Sequence, residues 1–284
     1  MLIGEEIARL KKEKNAVILA HYYQTGDIQD AADFVGDSYE LSKKARDSEA
    51  GTIVFCGVRF MAESAKILSP GKTVLLPAPD AGCPMADMVT RGDIIRLRGE
   101  YPEAAVVAYV NSSAVDIIRA LAERQVIFVP DKNLAHYVAG RVPEKEIIPF
   151  DGYCIVHHRL SALDAKLALE ALPGAKLLVH PECPPEVVKR ADFAGSTAQI
   201  INEARRLPDK KLIIGTEAGV LHVLKRQNPD KEFYMLSPKL VCANMKKTRI
   251  EDVRDALLYG RYEITLSGDI IEKAKKSLDR MLGA

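Results

Sequence analysis

The chain has 284 residues, with 40 Lys+Arg against 39 Asp+Glu and a formal net charge of +1. So balanced a surface sets up no global field toward nucleic acid or an anionic membrane, and 48% apolar with 28% charged residues is globular usage, not disorder. At about 150 residues per domain the length suggests two units, with room for three small ones, no apolar run approaches the ~20 residues of a membrane helix, and the charged stretch MLIGEEIARLKKEKNA is not expected to act as a secretory signal.

Nine short runs, mostly β-branched, predict strands in chain order over 17–20, 52–55, 73–76, 105–108, 126–129, 146–148, 176–179, 211–214 and 232–234. They are apolar throughout rather than alternating, which suits strands buried on both faces of a parallel sheet. Amphipathic segments over 37–47, 60–68 and 197–206 lie between them, and 250–282 reads as helices broken near Gly260 and Gly268. The alternation of strand and helix places the chain in the α/β class.

The nine strands fall into three groups of three, and each group ends near a cysteine. The stretches 54–83, 127–154 and 213–242 share one plan: strand, Gly or Pro turn, helix, a loop containing Pro70, Pro143 or Pro229, strand, then Cys83, Cys154 or Cys242. Their spans are 29, 27 and 29 residues. Each group opens with a strand that ends on His21, Tyr109 or His180. The plan predicts three similar three-layer αβα sandwich units with parallel sheets around a pseudo-threefold axis. Their bounds are 1–84, 85–156 and 157–284, with helices of 248–284 packing back on the first. Ligands of open parallel sheets bind beyond the carboxyl ends of the strands, where these six side chains fall. The middle unit is about 15 residues short after Ser113, where the others carry Gly36-Asp37-Ser38 and Gly195-Ser196-Thr197.

Five cysteines is an odd number and none forms a C-x-x-C pair. A disulfide framework is not expected, and a reducing cytoplasm is the default. Three thiolates, one per unit and 71 and 88 residues apart, suggest a [4Fe–4S] cluster with one open iron acting as a Lewis acid. Zinc remains an alternative. Cys56 has no counterpart in the other units and is assigned to the core; Cys183 reads as a buried or a redox-active thiol. Tyr23 and Glu182 are candidate proton carriers. Ser38 and Thr197 fall at predicted helix starts, which suit small anions or simple capping. His157-His158 and Asn244-Met245-Lys246-Lys247 lie on the loops after two of the cysteines, with Lys246 and Lys247 expected to face solvent.

HYYQ at His21, GDS at Gly36, CPM at Cys83, YVNS at Tyr109, GYCIVH at Gly152, HPEC at His180, GST at Gly195, GTEAG at Gly215 and VCANMKK at Val241 resemble the quinolinate synthase family over nearly the whole chain. The resemblance implies three αβα domains, a [4Fe–4S] cluster held by Cys83, Cys154 and Cys242, and a transferase-type condensation of iminoaspartate with dihydroxyacetone phosphate to quinolinate, phosphate and water. It implies a substrate site lined by His21, Ser38, Tyr109, Val110, Asn111, His180, Pro181, Glu182 and Thr197, with Tyr23 and Glu182 moving protons and His180 assisting. An L-aspartate oxidase or dehydrogenase would supply the substrate; neither nucleic acid nor membrane is an expected partner. The readings left beside it are another cluster-dependent hydro-lyase and a non-catalytic small-anion binding protein. The family carries about 15 further residues after YVNS, including a serine that contacts a substrate carboxylate; here Ser113-Ala114 runs straight into Val115-Asp116-Ile117. A parallel unit lacking that helix would leave one face of its sheet uncovered.

Overall fold

A computed structural model of the chain describes residues 2–108 and 114–283. Among these, eleven strands form three sheets, and every pairing between named strands is parallel. The first sheet holds β1 (Ala16–His21), β2 (Phe34–Gly36), β3 (Thr52–Cys56) and β4 (Thr73–Leu75) in the order β2-β1-β3-β4. The middle sheet holds β5 (Ala105–Ala108), β6 (Gln125–Val129) and β7 (Glu146–Pro149) in sequence order. The third holds β8 (Lys176–Val179), β9 (Phe193–Ala194), β10 (Lys211–Gly215) and β11 (Glu232–Met235) as β11-β10-β8-β9. All nine expected strands are present. The two additional ones, β2 and β9, are edge strands of three and two residues, too short to leave a run in the sequence.

Among the described residues thirteen α-helices accompany the strands: α1 (Ile3–Glu13), α2 (Gly26–Ala31), α3 (Ser38–Asp47), α4 (Arg59–Leu68), α5 (Arg91–Glu100), α6 (Ala114–Ala120), α7 (Lys132–Ala139), α8 (Ala162–Ala171), α9 (Pro185–Val188), α10 (Thr197–Arg206), α11 (Val220–Gln227), α12 (Ile250–Tyr259) and α13 (Gly268–Gly283). None is long and apolar enough to cross a membrane.

The chain separates into two compact units, one of residues up to Cys83 with Cys242–Gly283, the other Pro84–Val241. In the first, Leu19, Ile53 and Phe55 pack against Leu41 of α3 and Met61, Ala62 and Ala65 of α4. Ile18, Val54 and Leu75 face the other way, onto Ile7 and Leu10 of α1, Ile28 of α2 and Val253, Ala256 and Leu257 of α12. Successive residues of β1 and β3 thus feed two cores, which is why these strands carry no polar face.

In the second unit, Val126 and Phe128 pack against Ile118 of α6 and Leu134 and Val138 of α7, while Ile127 and Val129 pack with Leu97 of α5. The middle sheet therefore has helices on both faces, and the short α6 covers the side that the shortfall after Ser113 was expected to leave bare. What the middle sheet lacks, among the described residues, is the outer strand corresponding to β2 and β9. The same unit contains the third sheet, where Ile200, Ile201 and Ala204 of α10 and Val223 and Leu224 of α11 are buried.

One device recurs in all three sheets. Lys72, Lys145 and Lys231 each lie two residues after the repeated proline and donate to carbonyls at the end of a helix: Ala45 and Ser48 near α3, Leu121 and Glu123 near α6, Ala204 and Leu207 near α10. A cation there satisfies carbonyls that the helix cannot, and meets the negative end of its dipole.

Candidate active site

The first unit brings the loop after β1 and the loops of two cysteines together. His21 ends β1 and is buried. Its Nδ1 accepts the backbone N–H of Tyr23 at 3.1 Å, and the two rings meet edge to face at 4.4 Å. Gln24 donates through Nε2 to the Met245 carbonyl at 2.8 Å, and Lys246 donates to the Tyr23 carbonyl. Lys247 bonds both the carbonyl of Asp80, at 2.7 Å, and its carboxylate, at 2.9 Å. The expected solvent-facing lysines therefore tie the Cys242 loop to the His21 and Cys83 loops. Tyr23, Cys83 and Cys242 are half-buried against one core cluster.

In the second unit, His180 follows β8 and repeats the turn of His21. Its Nδ1 accepts the backbone N–H of Glu182 at 3.3 Å, and its carbonyl accepts Cys183 N–H at 3.0 Å. The His21 carbonyl accepts Gln24 N–H at the same 3.0 Å. Tyr23 and Glu182 thus occupy one position of the repeat, two residues after the histidine. An Nδ1 that accepts places the ring hydrogen on Nε2, and His180 Nε2 finds no partner among the described residues although the ring is wholly buried. Burial holds the imidazole neutral, its pKa lowered to about 3, against the opposing pull of Glu182. It is a neutral donor.

A prediction about stability follows from that neutrality. The unfolded chain takes up a proton at His180 near its ordinary value of 6.5, and the folded chain does not do so until about 3. Stability should fall as pH drops through that window. Urea midpoints measured from pH 7 to 4 should decline less steeply in His180→Gln than in the parent.

Glu182 lies at the centre of a buried group. Its Oε2 is 2.7 Å from His157 Nδ1 and 3.5 Å from His180 Nδ1. His157 Nε2 is 3.1 Å from Thr216 Oγ1, and its ring stacks on that of His180 at 4.5 Å and 9°. Asn133 donates to the Glu182 carbonyl at 2.9 Å. Asp131 accepts Leu134 N–H at 2.7 Å, capping α7, and Cys154 N–H at 2.7 Å. Burial first, and then the charge of Glu182, raise the Asp131 carboxyl to about 7. Burial, Glu182 and Asp131 also push the Cys154 thiol up.

The ligand atoms of Cys154, His157 and Glu182 lie within 4.8 Å of one another, close enough to surround an ion. Ligands about 2.0–2.2 Å from a tetrahedral zinc stand roughly 3.3 Å apart. The 2.7 Å separation of His157 and Glu182 is therefore a hydrogen bond between them.

Ser38 and Thr197 are the first residues of α3 and α10, but neither caps its helix. Asp37 and Ser196 do so, each in a capping box with Glu40 or Gln199. Pro181 is buried beside His180 and lines a cavity of about 210 Å³ with Val115, Tyr137, Arg141 and Ser196. Tyr109, Val110 and Asn111 lie outside the described residues.

Among the described residues none of the five cysteines is in a disulfide, and they divide by burial: Cys83, Cys154 and Cys242 are half-buried on loops, Cys56 and Cys183 fully buried. Cys56 ends β3 in the core, and Cys183 donates its thiol to the Gly215 carbonyl at 3.4 Å. A further regularity follows each loop cysteine. Seven residues on stands Thr90, Ser161 or Arg249, and three beyond that Asp93, Asp164 or Asp252, whose carboxylate accepts the cap's backbone N–H. These boxes open α5, α8 and α12. C-x6-[T/S/R]-x2-D is readable in the sequence once the cysteines are aligned. The His157–Glu182–Thr216 contacts, by contrast, join loops 25 and 59 residues apart and leave no local signal.

Parallel αβ units with histidine, tyrosine and carboxylate groups gathered where the strands end have the architecture of an enzyme acting on small molecules. The model of the Quinolinate synthetase A protein family matches residues 5–283. A quinolinate synthase of Alkaliphilus metalliredigens is 53% identical over 293 residues, covering 98% of this chain and 97% of that one. Those of Caldicellulosiruptor saccharolyticus and Methanoregula boonei are 52% and 48% identical, over 99% of this chain and 97% and 98% of theirs. The chain belongs to the quinolinate synthetase A family.

Proposed function

We propose that the chain condenses iminoaspartate with dihydroxyacetone phosphate, releasing quinolinate, phosphate and water, with a [4Fe–4S] cluster held by Cys83, Cys154 and Cys242. The donor set fits such a group: three soft ligands in no disulfide and half-buried, where the other two thiols are fully buried. When bound, the cluster supplies a Lewis-acidic iron with an open coordination position.

The chain's own residues do the rest. His180, kept neutral and with its Nε2 hydrogen unpartnered, donates to a substrate oxygen without adding charge. Tyr23 and Glu182 take and return protons from matching positions of the repeat. His21, Ser38, Tyr109, Val110, Asn111, Pro181 and Thr197 line the substrate site with them. The observation that carries the reading is the shared turn: a buried histidine accepts the N–H of a proton carrier two residues on, once in each unit. We place the enzyme in a reducing cytoplasm, downstream of an L-aspartate oxidase or dehydrogenase that supplies the imine.

Anaerobic protein given iminoaspartate and dihydroxyacetone phosphate should yield quinolinate by chromatography. No product from iron-loaded protein would end this reading; dehydration of some other hydroxy acid would instead mark a different hydro-lyase, and tight ligand binding with no turnover a binding protein. Tyr23→Phe should lower turnover about 10²-fold while iron and sulfide stay at parent levels, within the usual range of a general acid–base group.

A further inference from the structure

His157 sits where the repeat has no need of an imidazole. It stands three residues after Cys154, and the corresponding positions after Cys83 and Cys242 are Ala86 and Met245. Ala86–Met88 and His157–Arg159 form the same short 3-10 turn. An apolar residue therefore serves the turn itself. The polar ring at 157 answers to something else that it touches.

That ring is held on three sides. Nδ1 meets Glu182 Oε2 at 2.7 Å, Nε2 meets Thr216 Oγ1 at 3.1 Å, and one face stacks on His180. With Glu182 ionised, Nδ1–H donates to the carboxylate and Nε2 accepts from the threonine hydroxyl, so one tautomer satisfies both contacts. A buried imidazole pinned in this way has one available orientation, and the carboxylate oxygen that it holds has one too. Asn133 fixes the backbone of the same residue through its carbonyl. Glu182 is thus constrained at the main chain by one side chain and at the carboxylate by another.

We propose that His157 is a positioning residue for Glu182: by binding Oε2 it stops rotation of the carboxylate and keeps the group oriented for proton exchange with the substrate. This rests on the reading of Glu182 as a proton carrier. His157 itself need not touch the substrate, and its effect passes wholly through Glu182. The logic is that of a base oriented by a second group, with histidine as the orienter.

The test is a double-mutant cycle on iron-loaded, anaerobic protein, with kcat, KM, quinolinate affinity, and iron and sulfide content measured for each variant. His157→Ala should lower kcat about 30-fold, with KM and quinolinate affinity within about threefold of the parent and iron unchanged. His157→Asn, whose Nδ2 falls where the ring Nδ1 lay, should recover to within about fivefold of the parent. In a Glu182→Gln background, His157→Ala should cost less than about twofold further, because the group it orients is already gone. Full activity in His157→Ala, an additive loss in the double variant, or His157→Asn as poor as alanine would each overturn the proposal. Loss of iron in step with activity would overturn it too, in favour of simple support of the Cys154 loop. If Glu182→Gln is itself fully active, the assignment of Glu182 falls, and that outcome is distinct from a Glu182→Gln variant that is dead beside a normal His157→Ala.

Discussion

Alanine at Cys83, Cys154 or Cys242 should remove quinolinate formation, and each substitution should also lower the iron bound after anaerobic reconstitution. A Lewis acid contributes several kcal/mol to charge stabilisation, which at about 1.36 kcal/mol per decade is about a thousandfold or more in rate. Cys56→Ala and Cys183→Ser are the contrasting pair. Both sulfurs are fully buried, Cys56 on β3 in the apolar core and Cys183 against the Gly215 carbonyl. They should cost stability and leave iron content and turnover near the parent. If Cys183→Ser lost iron while Cys154→Ala kept it, the division of thiols by burial would be wrong. Iron analysis and the visible spectrum read both results.

The second large effect is expected at Gly152, two residues before Cys154. A Cβ built there would lie 2.4 Å from the Pro130 carbonyl oxygen and 3.3 Å from the Phe150 ring. The first of these neighbours is main chain and cannot swing aside. It is locked by the bridge between Asp131 and Gly152 and by the bond from Lys132 N–H to the Gly152 carbonyl at 2.8 Å. Gly152→Ala must therefore push the loop away from Asp131 and stretch the 2.7 Å bond that it receives from Cys154 N–H. Overpacking and a stranded buried acceptor together should cost about 3–5 kcal/mol, read as a lower urea midpoint, and iron uptake should fall with it. Gly99 in α5 is the control, since nothing lies within 4 Å of its added Cβ. Gly99→Ala should stabilise the protein by roughly 0.5–1 kcal/mol.

Much of this organisation was readable before any coordinates. Apolar runs such as Val17-Ile18-Leu19-Ala20 announce strands covered on both faces, because a period of two cannot be satisfied by residues that are all apolar. Matching His21 with His180 by position in the repeat anticipated that both would stand at or just after the ends of first strands, and their turns proved alike down to the bond that each Nδ1 accepts. The short strands β2 and β9 were missed because Phe34–Gly36 and Phe193–Ala194 draw their extended shape from pairing with β1 and β8, not from composition. The buried set around Glu182 was missed for a different reason. Asp131, His157, Glu182 and Thr216 come from four separate loops, and only the packed chain sets them side by side.

Ser38 and Thr197 show a subtler limit. Their residue types suit caps, yet Asp37 and Ser196 perform that task one position earlier. The capping side chain thus sits one position before the hydroxyl that the residue type suggests, which a string of letters does not reveal.

The boxes that start α5, α8 and α12 carry a consequence for how such a chain can change over generations. Each sulfur is separated from its box by the same count of residues, and one inserted residue there would turn the helix by about 100° relative to the thiol. Between β5 and β6 the chain has tolerated a difference of many residues from its sister repeats. Insertions and deletions should therefore accumulate upstream of the sulfurs and be purged just after them, so that these ten-residue tracts form the ruler against which the remainder is free to lengthen or shrink.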